Sequence, residues 1–145
     1  MVMKRAFTLI EIMLVVAVLI VLIGLAVPNI LRSWVIAYEA IAIANLKMLS
    51  SACQTYYTNN KEYPSALTDL ILPVSNPSYI DSALAGGQKQ KYQFTYNLVT
   101  PDSFTINADP LSVSLLKGRY FYTDESGIIR YKTTGPAGPN DEIIK

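Results

Sequence analysis

The stretch KRAFTLIEIMLVVAVLIVLIGLAVPN, residues 4–29, is a nearly unbroken apolar run that holds one carboxylate, Glu11, close to its charged front edge. From Phe7 to Leu31 no other charged side chain occurs. At a helical rise of ~1.5 Å per residue the run is long enough to cross a hydrocarbon core of ~30 Å, so it reads as a membrane helix. A carboxylate inside such a helix costs roughly 2.5–3.5 kcal/mol at the bilayer centre and less near an interface, so Glu11 is a poor choice for a plain anchor and calls for a partner. Lys4 and Arg5 precede the run and Arg32 follows it. The bias of basic residues to the inner side predicts a cytoplasmic N-terminal stub, with everything after Pro28 outside. A secretory signal begins in the same way, but its apolar core is only about 7–15 residues and ends in a small-residue cleavage site. Here the core is longer, and Gly24-Leu25-Ala26 makes a poor site. No lipidation cysteine follows, since the chain's one cysteine is Cys53.

Lys4-Arg5-Ala6 followed by Phe7-Thr8-Leu9-Ile10-Glu11, then an apolar helix interrupted at Gly24 and Pro28, resembles the N-terminus of type IV pilins and of the pseudopilins of type II secretion. The specific likeness covers the first 29 residues and is diffuse beyond them. It implies that a prepilin peptidase cuts between Ala6 and Phe7 and methylates the new amine of Phe7. Glu11 then becomes the fifth mature residue. The family usually has glycine before the cut, where this chain has Ala6. The resemblance also gives Glu11 a role: it neutralises the Phe7 amine of a neighbouring subunit when helices stack in a staggered bundle. Such a pair adds little net stability, but either partner left alone costs several kcal/mol, so the pair selects register. A Glu11 that snorkels towards the headgroups is the plainer alternative.

Length and charge agree with a small anchored protein. Of 145 residues, about 30 go to stub and anchor, which leaves enough for one compact domain. The chain has 12 basic and 11 acidic residues, and without Lys4, Arg5 and Glu11 the remainder carries no net charge. That balance argues against a module built to hold nucleic acid. A single cysteine forms no internal disulfide, and Cys53 sits in a helical pattern as a small buried hydrophobe.

Beyond the anchor the helix continues. Leu31, Val35, Tyr38, Ala42, Leu46, Leu49, Cys53 and Tyr56 recur at steps of three or four, with Arg32, Glu39, Lys47 and Gln54 between them as a polar face. Asn59-Asn60 and Pro64 supply the stop. The predicted helix runs from about Thr8 to Thr58, roughly 75 Å at ~1.5 Å per residue, with a kink or local melting at Gly24 and Pro28. Aromatic residues along it, Trp34, Tyr38, Tyr56 and Tyr57, read as packing rather than as an electron path.

Two brief helices are predicted over 65–70, capped by Ser65, and 77–84, ending at Gly86-Gly87. Four strand patterns follow, over 90–98, 103–108, 119–123 and 128–132, with turns at Thr100-Pro101-Asp102 and Asp124-Glu125-Ser126-Gly127. The fold class is therefore α+β, pilin-like: a long helix, membrane-spanning in its first half and amphipathic in its second, packed against a four-stranded antiparallel sheet. Residues 135–140 are too rich in turn formers for regular structure, and the last residues are expected to form a loose tail. The divisions are residues 1–6 as a cytoplasmic leader, 7–31 as the transmembrane and filament-core half-helix, and 32–145 as a periplasmic or extracellular head.

Chemistry is sparse. The absence of histidine removes the commonest general base and zinc ligand, so no enzyme and no cofactor are expected. Asp102, Asp109, Asp124, Glu125, Asp141 and Glu142 read as solvated turn carboxylates rather than as the six to eight converging oxygens calcium needs. Lys89, Lys91, Lys117, Arg119, Arg130 and Lys132 read as scattered surface charge rather than a DNA-binding face. The sequence therefore points to a structural subunit of a type IV pilus-like filament, polymerised through its N-terminal helix. The alternatives are a type II secretion pseudopilin and a minor tip or DNA-binding pilin. Its expected partners are prepilin peptidase, inner-membrane assembly machinery, the inner membrane itself, and copies of the same chain in a helical filament, possibly with other pilins. No nucleic acid is expected. The chain is expected in the inner membrane before assembly, and afterwards in a surface pilus or a periplasmic pseudopilus.

Overall fold

The computed structural model describes residues 7–111 and 118–144; the proposed leader with Ala6, and Lys117, lie outside them. The chain divides into two units, one ending at Trp34 and the other starting at Val35. Helix α1 covers Leu9–Asn60 and includes both Gly24 and Pro28.

In the second unit, α1 lays one stripe on a sheet. Ala42, Leu46, Leu49, Ala52 and Cys53 are buried at steps of three and four, as the periodicity predicts. Each fully buried leucine here contributes on the order of 1.5–3 kcal/mol by leaving water. Cys53 is a free, buried thiol whose pKa burial pushes up to about 12, which makes it an inert packing residue. Glu39 departs from the sequence reading. It was expected on the polar face, yet it is buried and paired, because it occupies the same helical phase as Ala42 and Leu46.

After α1 come a 3₁₀ turn, η1 (Leu67–Leu70), and a short helix, α2 (Ser82–Ala85), both shorter than the sequence predicts. Ser65 does not cap η1. Instead the Asp69 carboxylate reaches back to accept from the Ser65 and Ala66 N–H groups, at 2.9 and 3.1 Å. Asp81 caps α2 by accepting from the Leu84 N–H at 2.8 Å, and the Lys89 ammonium beside it holds its carboxyl below the usual range.

The sheet has six strands, not four: β1 (Gln88–Lys89), β2 (Tyr92–Thr100), β3 (Ser103–Pro110), β4 (Tyr120–Asp124), β5 (Arg130–Lys132) and β6 (Glu142–Ile143). Their spatial order follows their order in the chain, and every neighbouring pair is antiparallel. The four predicted strands are β2–β5. The additions are two-residue edge strands, too short to show a period of two. Alternation puts Phe94, Phe104, Ile106, Ala108 and Phe121 into the core against the α1 stripe. Tyr63 packs edge-on to Phe104, with ring centroids 4.7 Å apart.

The C-terminal segment is not a loose tail. Ala137 is buried, and its carbonyl accepts from Asn107 Nδ2 at 2.8 Å. Gly138 N–H donates to Asp141 Oδ2 at 2.8 Å, and Ile144 N–H donates to the Ile129 carbonyl at 3.0 Å. The turn formers in this segment build a folded-back strap that ends in β6.

Candidate functional site

The first unit is an unpartnered apolar helix. Every side chain from Phe7 to Ile30 is exposed, including Phe7 at 74 % and Ile10 at 74 %. The segment is long and apolar enough to cross a membrane. Its start is fixed by Thr8: the Thr8 carbonyl and Oγ1 both accept from the Glu11 N–H, at 3.1 and 3.3 Å. A threonine followed three residues later by glutamate is the pattern of a helix N-cap, a signal present in the sequence but masked by reading Thr8 only as part of the cleavage motif. Glu11 thereby lies in the first turn, where the helix dipole favours an anion. Among the described residues the ion pairs are Lys89–Asp81, Arg119–Glu39 and Lys132–Asp141, and the exposed Glu11 belongs to none of them.

Pro28 supplies no N–H to the Gly24 carbonyl, and Gly24 has no neighbouring atom within 4 Å of where a Cβ would stand. Side chains brace the next turn. Asn29 Nδ2 donates to the Leu25 carbonyl at 3.4 Å, and Ser33 Oγ donates to the Asn29 carbonyl at 3.0 Å. α1 is assigned as helix throughout this stretch, so no break is present at Gly24 or Pro28 in the isolated chain.

In the second unit the most concentrated polar constellation is the one the sequence reading passed over. The Glu39 carboxylate accepts the Arg119 backbone N–H at 2.8 Å and the guanidinium Nε and Nη2 at 3.0 and 2.9 Å. This fork geometry, more than charge alone, pins α1 to the entrance of β4. The guanidinium stacks over Tyr131 with its carbon 4.7 Å from the ring centroid, and the carboxylate beside it raises its pKa. Tyr92 closes the arrangement by donating to the Arg119 carbonyl at 2.9 Å, an approach that requires glycine next door, since a Cβ on Gly118 stands 2.6 Å from the Tyr92 hydroxyl. The signal available in sequence was a carboxylate in the apolar phase of an amphipathic helix, which demands a buried partner. The work of this pair is structural. Among the described residues no group of three or more metal-ligating side chains converges.

A long apolar-started helix on an antiparallel sheet is a pilin-like fold. No family model matches the chain, and neither does any solved structure. Among curated proteins it is 37% identical over 75 residues to type II secretion system core protein G of Pectobacterium carotovorum, covering 52% of this chain and 48% of that one. It is also 37% identical to the core protein G of Klebsiella pneumoniae over 75 residues, 52% of this chain and 54% of that protein. The corresponding protein of Dickeya chrysanthemi is 35% identical over 75 residues, 52% of this chain and 49% of that protein. The chain thus spans about half the length of the curated relatives it matches. These matches support the pilin and pseudopilin family for this chain, and within it they favour the type II secretion branch over the surface pilus that the sequence reading put first. None of the matched names is that of an enzyme.

Proposed function

We propose that this chain is a structural subunit of a periplasmic pseudopilus of the type II secretion kind. The leader is removed between Ala6 and Phe7 by prepilin peptidase, Phe7 is methylated on its new amine, and residues 7–31 hold the subunit in the inner membrane until it enters the filament core. Residues 32–145 form the head. In the filament core Glu11 neutralises the Phe7 amine of a neighbour, while Gly24 and Pro28 provide the weak point at which the helix unwinds on assembly. The observation that carries this reading is the exposed apolar stretch from Phe7 to Ile30, whose one charge, Glu11, stands in the helix's first turn and pairs with no cation among the described residues. The shared sequence with the core G proteins and the want of a second cysteine for a pilin-type disulfide add to it.

Intact-mass analysis of the membrane-extracted chain tests the processing step. The expected mass lacks the first six residues and carries one added methyl group. Retention of Met1 through Ala6 in the assembled protein rejects the scheme. Filament imaging at native expression separates the branches, since long surface fibres built of this chain would favour a pilus over a pseudopilus.

A further inference from the structure

α1 changes character within a few residues. From Leu9 to Ile30 its side chains are exposed, and Ser33, Trp34, Ile36 and Ala37 are exposed as well. Val35 and Tyr38 are half-buried, and Glu39 is the first buried residue of the helix. Before Glu39, then, little packing supports the backbone, and Pro28 leaves the Gly24 carbonyl without its helical donor. From Ala42 onward the helix is docked.

The grip at Glu39 is unlike the other holds on α1. Along Ala42, Leu46 and Leu49 the helix is held by apolar burial, which has no direction. Near its far end are two single hydrogen bonds at the exposed surface, Gln54 Nε2 to the Glu125 carbonyl and Tyr57 Oη to the Asp102 carboxylate, each 2.9 Å. Glu39 instead makes three directional bonds to one residue, Arg119, through its backbone N–H, Nε and Nη2. Arg119 is in turn immobilised. Tyr92 holds its carbonyl, the buried Gly118 before it leaves no space for a Cβ, and Phe121 and Tyr131 flank its guanidinium, with ring centroids 5.7 and 4.7 Å from the guanidinium carbon.

Directly behind this grip the docked helix has a weak point. Asn45 is buried, and its Nδ2 has no hydrogen-bond partner among the described residues. A buried amide without a partner carries its full desolvation penalty, which water relieves when the segment opens. Opening at Asn45 is therefore favoured locally and is resisted by the bonds six positions earlier, at Glu39. We infer that the Glu39–Arg119 fork is a stop, which confines the unwinding of α1 on assembly to the residues before it and keeps the head's part of the helix docked. The inference rests on the filament reading above, which places the unwinding at Gly24 and Pro28, and it adds where the unwinding ends.

Amide hydrogen exchange, read by mass spectrometry on the detergent-solubilised full chain, tests the stop without requiring filaments. Ala37→Pro at an exposed position breaks the helix just ahead of the fork, and proline is tolerated in the first turn of the helix that resumes. In that variant exchange is expected to be at least tenfold faster than in wild type up to Ala40 and unchanged from Ala42 to Cys53. Adding Glu39→Ala is expected to carry the fast exchange through Leu46. Adding Ile106→Val instead, a buried sheet position outside the fork, lowers the melting temperature and is expected to leave the boundary where it was. The stop is overturned if the boundary stays put with Glu39→Ala, if Ala37→Pro alone already exposes Ala42 to Leu46, or if Ile106→Val moves the boundary as far as Glu39→Ala does. Exchange on processed wild-type filaments shows which reading has failed. Fast exchange from Gly24 to Ser33 with protection from Ala42 onward is expected there, and if it appears while the detergent experiment fails, unwinding on assembly stands and only the stop is wrong. Protection throughout Gly24 to Ser33 in filaments rejects the unwinding itself, and the stop with it.

Discussion

Glu11 and Asp109 show how differently two carboxylates are used. Glu11 stands in the first turn of a helix, and its proposed counter-charge is in another molecule. Glu11→Ala should therefore leave membrane insertion and cleavage intact while sedimentable filament, measured against processed subunit, falls at least about tenfold, since an amine buried without a counter-charge costs several kcal/mol. Glu11→Gln keeps the size but not the charge and should behave like Ala. Wild-type polymerisation by both variants would reduce Glu11 to a snorkelling residue. Asp109, by contrast, has its Oδ1 buried with no hydrogen-bond partner among the described residues, and burial raises its pKa. A carboxyl with a raised folded-state pKa is penalised where it is ionised, and the penalty disappears as pH falls through that pKa. Asp109→Asn should thus raise the melting temperature at pH 7, by about 1 kcal/mol in stability, and should remove the part of the pH dependence that favours the fold in acid. Equal melting curves for the two proteins at pH 7 would refute it. Asp81 has the opposite sign: Lys89 lowers its pKa, so its contribution is present near neutrality and is lost in acid.

At the scale of elements, legibility followed periodicity. The stripe through Ala42, Leu46, Leu49 and Cys53 and the alternation through β2, β3 and β4 were readable because many residues repeat one geometric requirement. Strands of two residues repeat nothing, so β1 and β6 were invisible. The strap at 135–141 was missed because it is built from turn chemistry, such as Gly138 to Asp141, and from a single long-range hydrogen bond, Asn107 to Ala137, whose partners lie 30 residues apart. Glu39 failed for a different reason. Its phase was apolar, but the residue that justifies its burial is 80 positions away. Of the candidate site, the membrane run, Glu11, Gly24 and Pro28 were legible as a local pattern, whereas the Glu39–Arg119 fork arises only when residues 80 positions apart are brought together. The ion pair gives the element-scale prediction. Glu39→Ala leaves Arg119 without its fork partner, and because the guanidinium is about one-third exposed, the loss should be moderate, about 1–2 kcal/mol, read as a lower melting temperature of the detergent-solubilised chain. An unchanged melting temperature would show that solvent replaces the pair.

For the molecule as a whole, the strand order is the chain order. A sheet of this kind forms by successive neighbouring hairpins, each closing only a short loop, so its search is fast and presents few unpaired intermediates. The one long closure in the head is the docking of α1, held by Glu39 to Arg119 across 80 residues. Loop-closure entropy predicts that such a contact forms late, after the sheet exists, and a late contact governs escape from the native state more than entry to it. The kinetics of Glu39→Ala should therefore show faster unfolding with refolding almost unchanged. If the head crosses a membrane behind its anchored helix, as proposed, the hairpins need nothing but local chain as they emerge, and the clasp closes last, on a sheet already made.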